Sequence, residues 1–118
     1  MSKLNVSNIT DGTTTVGTNY VVNGSAKVWA RYDGDSVIVE SFNVSSTADS
    51  STAGLTTVNI TNAFDSAGYA IQGTCNGTSA DRFVTVSSIT STSYKTYAFD
   101  GSVRTDLPVG TIATGDLA

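Results

Sequence analysis

Histidine is absent from this chain, and cysteine, proline, methionine and tryptophan occur once each; of the 10 acidic residues only Glu40 is a glutamate. Each scarcity closes a route. Without His there is no Ser-His-Asp or Cys-His relay, and the commonest zinc ligand is missing. A lone Cys75 forms no internal disulfide and reads as a small buried residue. Charged residues make up 14%, well under the roughly 25% of ordinary soluble domains. Positive charge is scarcest: 6 Lys and Arg leave a net charge of -4. Nucleic acid and anionic membrane surfaces are therefore poor partners, because both are held by basic patches. No apolar run approaches the roughly 18 residues of a membrane helix, so no membrane insertion is expected. Residues 1–10 carry one Lys and no apolar core, unlike a signal peptide. Low charge and a single Pro also argue against disorder, which usually brings both.

What fills the chain is Ser and Thr, about 30% together, with Val, Tyr and 11 Gly. Thr, Val and Tyr suit a pleated surface. At 118 residues the length fits one domain with a modest core.

The clearest pattern runs from Ala26 to Phe42. Ala26, Val28, Ala30 and Tyr32 alternate with Lys27, Trp29 and Arg31, the period of two that gives a strand two unlike faces. Asp33-Gly34-Asp35-Ser36 is turn chemistry, in which Gly accepts positive φ and Asp hydrogen-bonds nearby backbone. Val37 to Phe42 returns as a second strand. Further strands are predicted at Leu55–Ile60, Tyr69–Thr74, Arg82–Ile89 and Tyr94–Phe99. Polar loops separate them at 47–54 and 76–80, and Phe64 stands alone as a core plug. Val103–Val109 is predicted as an edge strand interrupted by Pro108, which cannot donate to a ladder. The last residues, from Ile112, are small and polar. No segment places apolar residues at helical spacing over three turns.

Short strands about ten residues apart with turns between them read as a β-sandwich or barrel. The expectation is all-β: an antiparallel, jelly-roll-like β-sandwich body over 26–118 with an extended N-terminal arm over 1–25. Leu4, Val6 and Ile9 alternate weakly in that arm, too few for a core. They are candidate attachment residues, for a neighbouring chain or a larger assembly.

The chemistry-bearing motifs are sparse. Asp11, Asp33, Asp35, Asp65 and Asp100 stand beside Gly or Ser in turns, where the carboxylate serves local hydrogen bonds better than acid-base work. Asp33 and Asp35 flank a Gly, but the spacing of a calcium loop is missing. No Gly-rich loop leads from a strand into a helix, so no phosphate cradle is expected, and no cofactor. Asn-x-Ser/Thr triplets at Asn5, Asn8, Asn23, Asn43, Asn59 and Asn76 follow from so much Ser and Thr. Trp29 shares its face with Lys27 and Arg31. An indole with cationic neighbours can anchor a protein interface or stack on a sugar ring, and equally can fill a sandwich core. Lys27, Trp29 and Arg31 are thus the candidate interface or glycan contacts.

The stretches AKVWARYDG, VIVESFNVSS and LTTVNITNAFDSAGYAIQGT resemble a module of short virion and tail-fibre proteins of bacteriophages and prophages. Ala26, Lys27, Trp29, Asn43, Val44, Ser45, Ser46, Asn59, Thr61, Tyr69 and Ala70 stand at that module's places, and KLNVSNI resembles the short piece preceding it. The likeness covers roughly residues 1–75. Val28, Arg31-Tyr32 and a shortened hairpin turn depart from it. The resemblance implies a non-enzymatic structural protein of the virion, a small tail-fibre or knob component, working as a homotrimer with other virion proteins. Head decoration, a head fibre, or a module recognising a host surface glycan are the alternatives it leaves.

Overall fold

In a computed structural model, which describes Lys3, residues 5–77 and residues 79–118, the alternating stretches become strands. In chain order they are β1 (Asn8–Thr10), β2 (Thr15–Gly17), the short helix α1 (Thr18–Gly24), β3 (Ala26–Tyr32), β4 (Ile38–Phe42) and β5 (Val44–Asp49). Then come β6 (Leu55–Ile60), β7 (Ala70–Cys75), β8 (Arg82–Thr90), β9 (Ser93–Asp100), β10 (Val103–Arg104) and β11 (Val109–Thr114).

One sheet has the order β4-β3-β11-β7; the other runs β5-β6-β9-β8, with β10 continuing along the β6 side of β9. All pairings are antiparallel and neither sheet closes on itself, so the body is a sandwich and not a barrel. The inward sets are those the period of two selects. Val28, Ala30 and Tyr32 of β3 and Val109, Thr111 and Ala113 of β11 are buried; so are Thr56, Val58 and Ile60 of β6 and Tyr94, Thr96 and Ala98 of β9. Phe64 plugs one end, 1% exposed and stacked on Tyr69 with ring centroids 3.8 Å apart. The chain end closes beside it: Asp65 N donates to Asp116 O and Ala118 N to Ala63 O.

Two hydroxyl pairs bolt the layers together through the core. Tyr32 Oη of β3 meets Thr96 Oγ1 of β9 at 2.5 Å, and Tyr94 Oη of β9 meets Thr111 Oγ1 of β11 at 2.7 Å. Buried polar atoms need partners, and these threonines supply them for tyrosines too large to leave the interior. Burial raises the pKa of both phenols. At the plugged end Tyr69 Oη donates to Thr90 O, and its pKa is pushed up to about 12 by burial. Among the described residues Ser87 Oγ is the one buried side-chain polar atom without a partner.

β4 and β5 lie in different sheets although only Asn43 separates them. Asn43 takes φ 58°, the left-handed conformation that Asn tolerates better than most residues. Its amide donates to Lys27 O and Asn62 O, and its Oδ1 accepts from Asn62 N. The corner is thus tied to both layers.

Three local expectations change. In the turn after β3 the left-handed residue is Ser36 (φ 61°), and Gly34 is there because a Cβ would press on Asp106 O at 3.2 Å. Residues 47–49, read as loop, continue β5, since Thr47 and Asp49 pair with Val58 and Thr56 of β6. The C-terminal segment is an edge only in its first part, where β10 ends the second sheet. β10 is only two residues long, and beyond Pro108 the chain enters as β11 between β3 and β7. Val109, Thr111 and Ala113 alternate as a core strand should, but small Ala and polar Thr disguise the pattern.

Candidate functional site

The body ends where β3 begins; residues before Ala26 form an arm with its own small structure. β1 and β2 make a hairpin with Ile9 opposite Val16. Asp11 closes its turn, its carboxylate accepting from Thr14 N and Thr13 N, and those amides lower its pKa. Thr18 then turns the chain into α1, its hydroxyl donating to Val6 O. Nothing in α1 is buried. Val6, Ile9, Val16, Tyr20, Val21 and Val22 are all substantially exposed, Tyr20 at 72%. Ile9, Val16 and Val21 line a shallow hollow of about 290 Å³, with Asp11 and Thr14 on its rim. A hairpin this small does not hold itself together in water without a covered face.

The arm stands off the body. The molecule measures 50 × 29 × 24 Å, and its radius of gyration is 16.6 Å. A compact chain of this length would have about 13.5 Å. Of the arm residues singled out from sequence, Val6 and Ile9 sit on this exposed apolar surface, while Leu4 lies outside the described residues. Val16, Tyr20, Val21 and Val22 were missed, because polar neighbours hid an apolar set that only the hairpin and the helical turn assemble.

Lys27, Trp29 and Arg31 do alternate outward from β3, but they part company there. The Lys27 ammonium turns back to the arm and donates to Val22 O, Ser25 O and Ser25 Oγ, closing the C-terminal end of α1. A cation there satisfies orphan carbonyls and complements the helix dipole. Lys27 is therefore the joint between arm and body. Trp29 and Arg31 instead line a shallow depression of about 340 Å³ on the outer face of the β4-β3-β11-β7 sheet. Trp29 is 36% exposed, so the indole is not core.

Register builds that face. Phe42, Trp29, Ile112 and Gln72 stand side by side across four strands, and Glu40, Arg31, Gly110 and Thr74 form the next row. Phe42 and Ile112 are about half exposed. At Gly110 a Cβ would meet only Thr74 Oγ1, at 3.6 Å, so the glycine leaves the floor of the depression open. Arg31 lies opposite Glu40 without an ion pair; the one salt bridge among the described residues joins Arg82 to Asp100 at 3.0 Å. An uncompensated guanidinium beside an apolar strip can hold a carboxylate and a flat or branched apolar group together. Phe42, Gln72, Gly110 and Ile112 were not singled out from sequence. Only Phe42 carried a signal there, its two-residue spacing from Glu40; the others join through β11, whose place is a tertiary fact.

The outer face of the second sheet carries Phe83 stacked on Phe99 at 4.8 Å and Arg104 over Tyr97 at 4.6 Å. Those aromatics are already partnered within the chain. Near the plugged end, Asp65 and Asp116 share a polar depression with Asn23, Ser66 and Tyr69. Asp33 Oδ1 accepts from Asp35 N and Val37 N, so that carboxylate serves its turn. Cys75 is half-buried and burial raises its thiol pKa, which suppresses the reactive thiolate. No described helix is long and apolar enough to cross a membrane.

Comparison of the chain with protein-family models, with curated proteins and with solved structures finds no match.

Proposed function

We propose that this chain is a non-enzymatic structural protein of a phage virion, a small fibre or knob component that self-associates, as a homotrimer, through its N-terminal arm. The observation that carries the reading is the arm. It projects from a self-sufficient sandwich and buries none of its α1 residues, yet presents six large apolar side chains to solvent. Monomeric soluble proteins rarely keep such a surface uncovered. The body supports the same reading. Inter-sheet hydroxyl pairs and a tied corner make a rigid block, which a load-carrying particle component requires. The resemblance of residues 1–75 to fibre modules supports the setting, with copies of this chain and other virion proteins as the proposed partners.

Light scattering of the purified chain at micromolar concentration tests the self-association. A single oligomeric species is expected, and a clean monomer overturns it. Deleting residues 2–24 is expected to leave a folded body that no longer incorporates into particles. A glycan array separates the alternative function: saccharide binding by the wild type that Trp29→Ala abolishes, with folding intact, replaces the structural reading by receptor recognition.

A further inference from the structure

Among the described residues two apolar surfaces lack a partner, and they differ in sign of charge. One is the arm hollow of Ile9, Val16 and Val21, rimmed by Asp11. The other is the depression of Trp29 and Ile112 on the body, rimmed by Arg31. Among the described residues neither Asp11 nor Arg31 is in an ion pair, although each carries a charge the other could meet. Asp11 is held ionised by the Thr14 and Thr13 amides. The arm's hairpin does not serve its own body in this geometry: β1 and β2 pair with each other, apart from both body sheets, and Lys27 ties the end of α1 at the joint.

Resting on the self-association proposed above, we infer that the arm of one copy docks on the Trp29 face of the next. Ile9, Val16 and Val21 seat against Trp29 and Ile112, and Asp11 comes to Arg31. The occupant is a second copy because the chain carries both halves of the contact. Charge decides the pairing of halves. Arm on arm would set Asp11 against Asp11, and face on face would set Arg31 against Arg31, whereas arm on face pairs opposite signs. Such a contact is heterologous, so it closes into a ring when the rotation per subunit allows it. Gly110 fits this role, since its bare floor gives a branched side chain somewhere to enter.

The test uses full-length chains. Asp11→Arg alone and Arg31→Asp alone are each expected to weaken association about tenfold or more. The double swap, carrying both changes in one chain, restores it. Both positions are exposed, and an unchanged denaturation midpoint confirms the folded body in each variant. Asp11→Asn, which keeps an oxygen for Thr13 N and Thr14 N but drops the charge, is expected to weaken association as well, and no effect of it overturns the pairing of Asp11 with Arg31. Trp29, the single tryptophan, reports the location independently. Dissociation by dilution should red-shift its emission and increase its quenching by acrylamide. An oligomer that ignores both charges, or whose dissociation leaves Trp29 emission unchanged, overturns the docking while leaving self-association standing. A wild type that is monomeric throughout overturns both.

Discussion

Replacing Tyr32 by Phe removes one oxygen from the centre of the sandwich. It leaves Thr96 Oγ1 without its partner at a residue 1% exposed. A stranded buried hydroxyl costs its desolvation, about 1–3 kcal/mol. The reverse change, Thr96→Val, strands Tyr32 Oη, also 1% exposed, at a similar cost of about 1–3 kcal/mol. The double variant strands nothing and keeps the shape of both side chains, so it is expected to fall within about 0.5 kcal/mol of wild type. The coupling energy of the cycle is then roughly 2–6 kcal/mol if each single bears its full cost, and at least about 1 kcal/mol otherwise. Urea unfolding followed by far-ultraviolet circular dichroism measures all four chains, with equal m-values as the check on two-state behaviour. At this chain length each kcal/mol moves the thermal midpoint by about 3–6 °C. A double variant as damaged as the sum of the singles would refute the reasoning, because the two hydroxyls would then be acting separately and the layers would not be joined through them.

Asn43→Ala should cost about 2–4 kcal/mol, combining the left-handed backbone penalty with the lost corner hydrogen bonds. Asn43→Gly keeps the conformation and should be about 1 kcal/mol milder by the same denaturation assay. Stability should be level near neutral pH and decline above about 9, first as the unfolded chain's Cys75 thiol ionises and then, from about 10 upward, as its Tyr32, Tyr69 and Tyr94 phenols do. The Tyr69 phenol, raised by burial, keeps its proton in the fold while the unfolded chain ionises near 10; urea midpoints across that range check it, and a flat profile opposes it. Lys27→Met should leave the body's unfolding within about 0.5 kcal/mol of wild type. It should raise amide exchange in α1, because only the arm's carbonyls lose their donor.

Legibility divided along one line. The two faces of β3 could be read directly, Val28, Ala30 and Tyr32 on one and Trp29 and Arg31 on the other, while the structure decided that Trp29 faces outward. Phe64 as a plug, the hairpin turn at Asp33 and an all-β body were equally accessible, because each follows from side-chain period or turn chemistry within a few residues. The last strand was missed, with an edge strand expected over 103–109 and a small, polar end from Ile112, since the inward set of β11, Val109, Thr111 and Ala113, carries little apolar bulk. At Asn43 a bend within one continuing strand was readable, but not that the chain changes sheets there.

Period and composition alone determined that this chain makes a two-faced sheet structure, and which residues of β3, β6 and β7 share a face. They also set its acidity and the arm's lack of a core. Tertiary structure alone decided that β11 enters between β3 and β7, and with it the row Phe42-Trp29-Ile112-Gln72 and the open floor at Gly110. It alone turned Lys27 away from Trp29 to hold the arm. The physical reason is that alternation tells a strand which way its side chains point but not which strand lies beside it. That choice is made by contacts between residues far apart in sequence, whose volumes and hydrogen-bonding groups must match all at once.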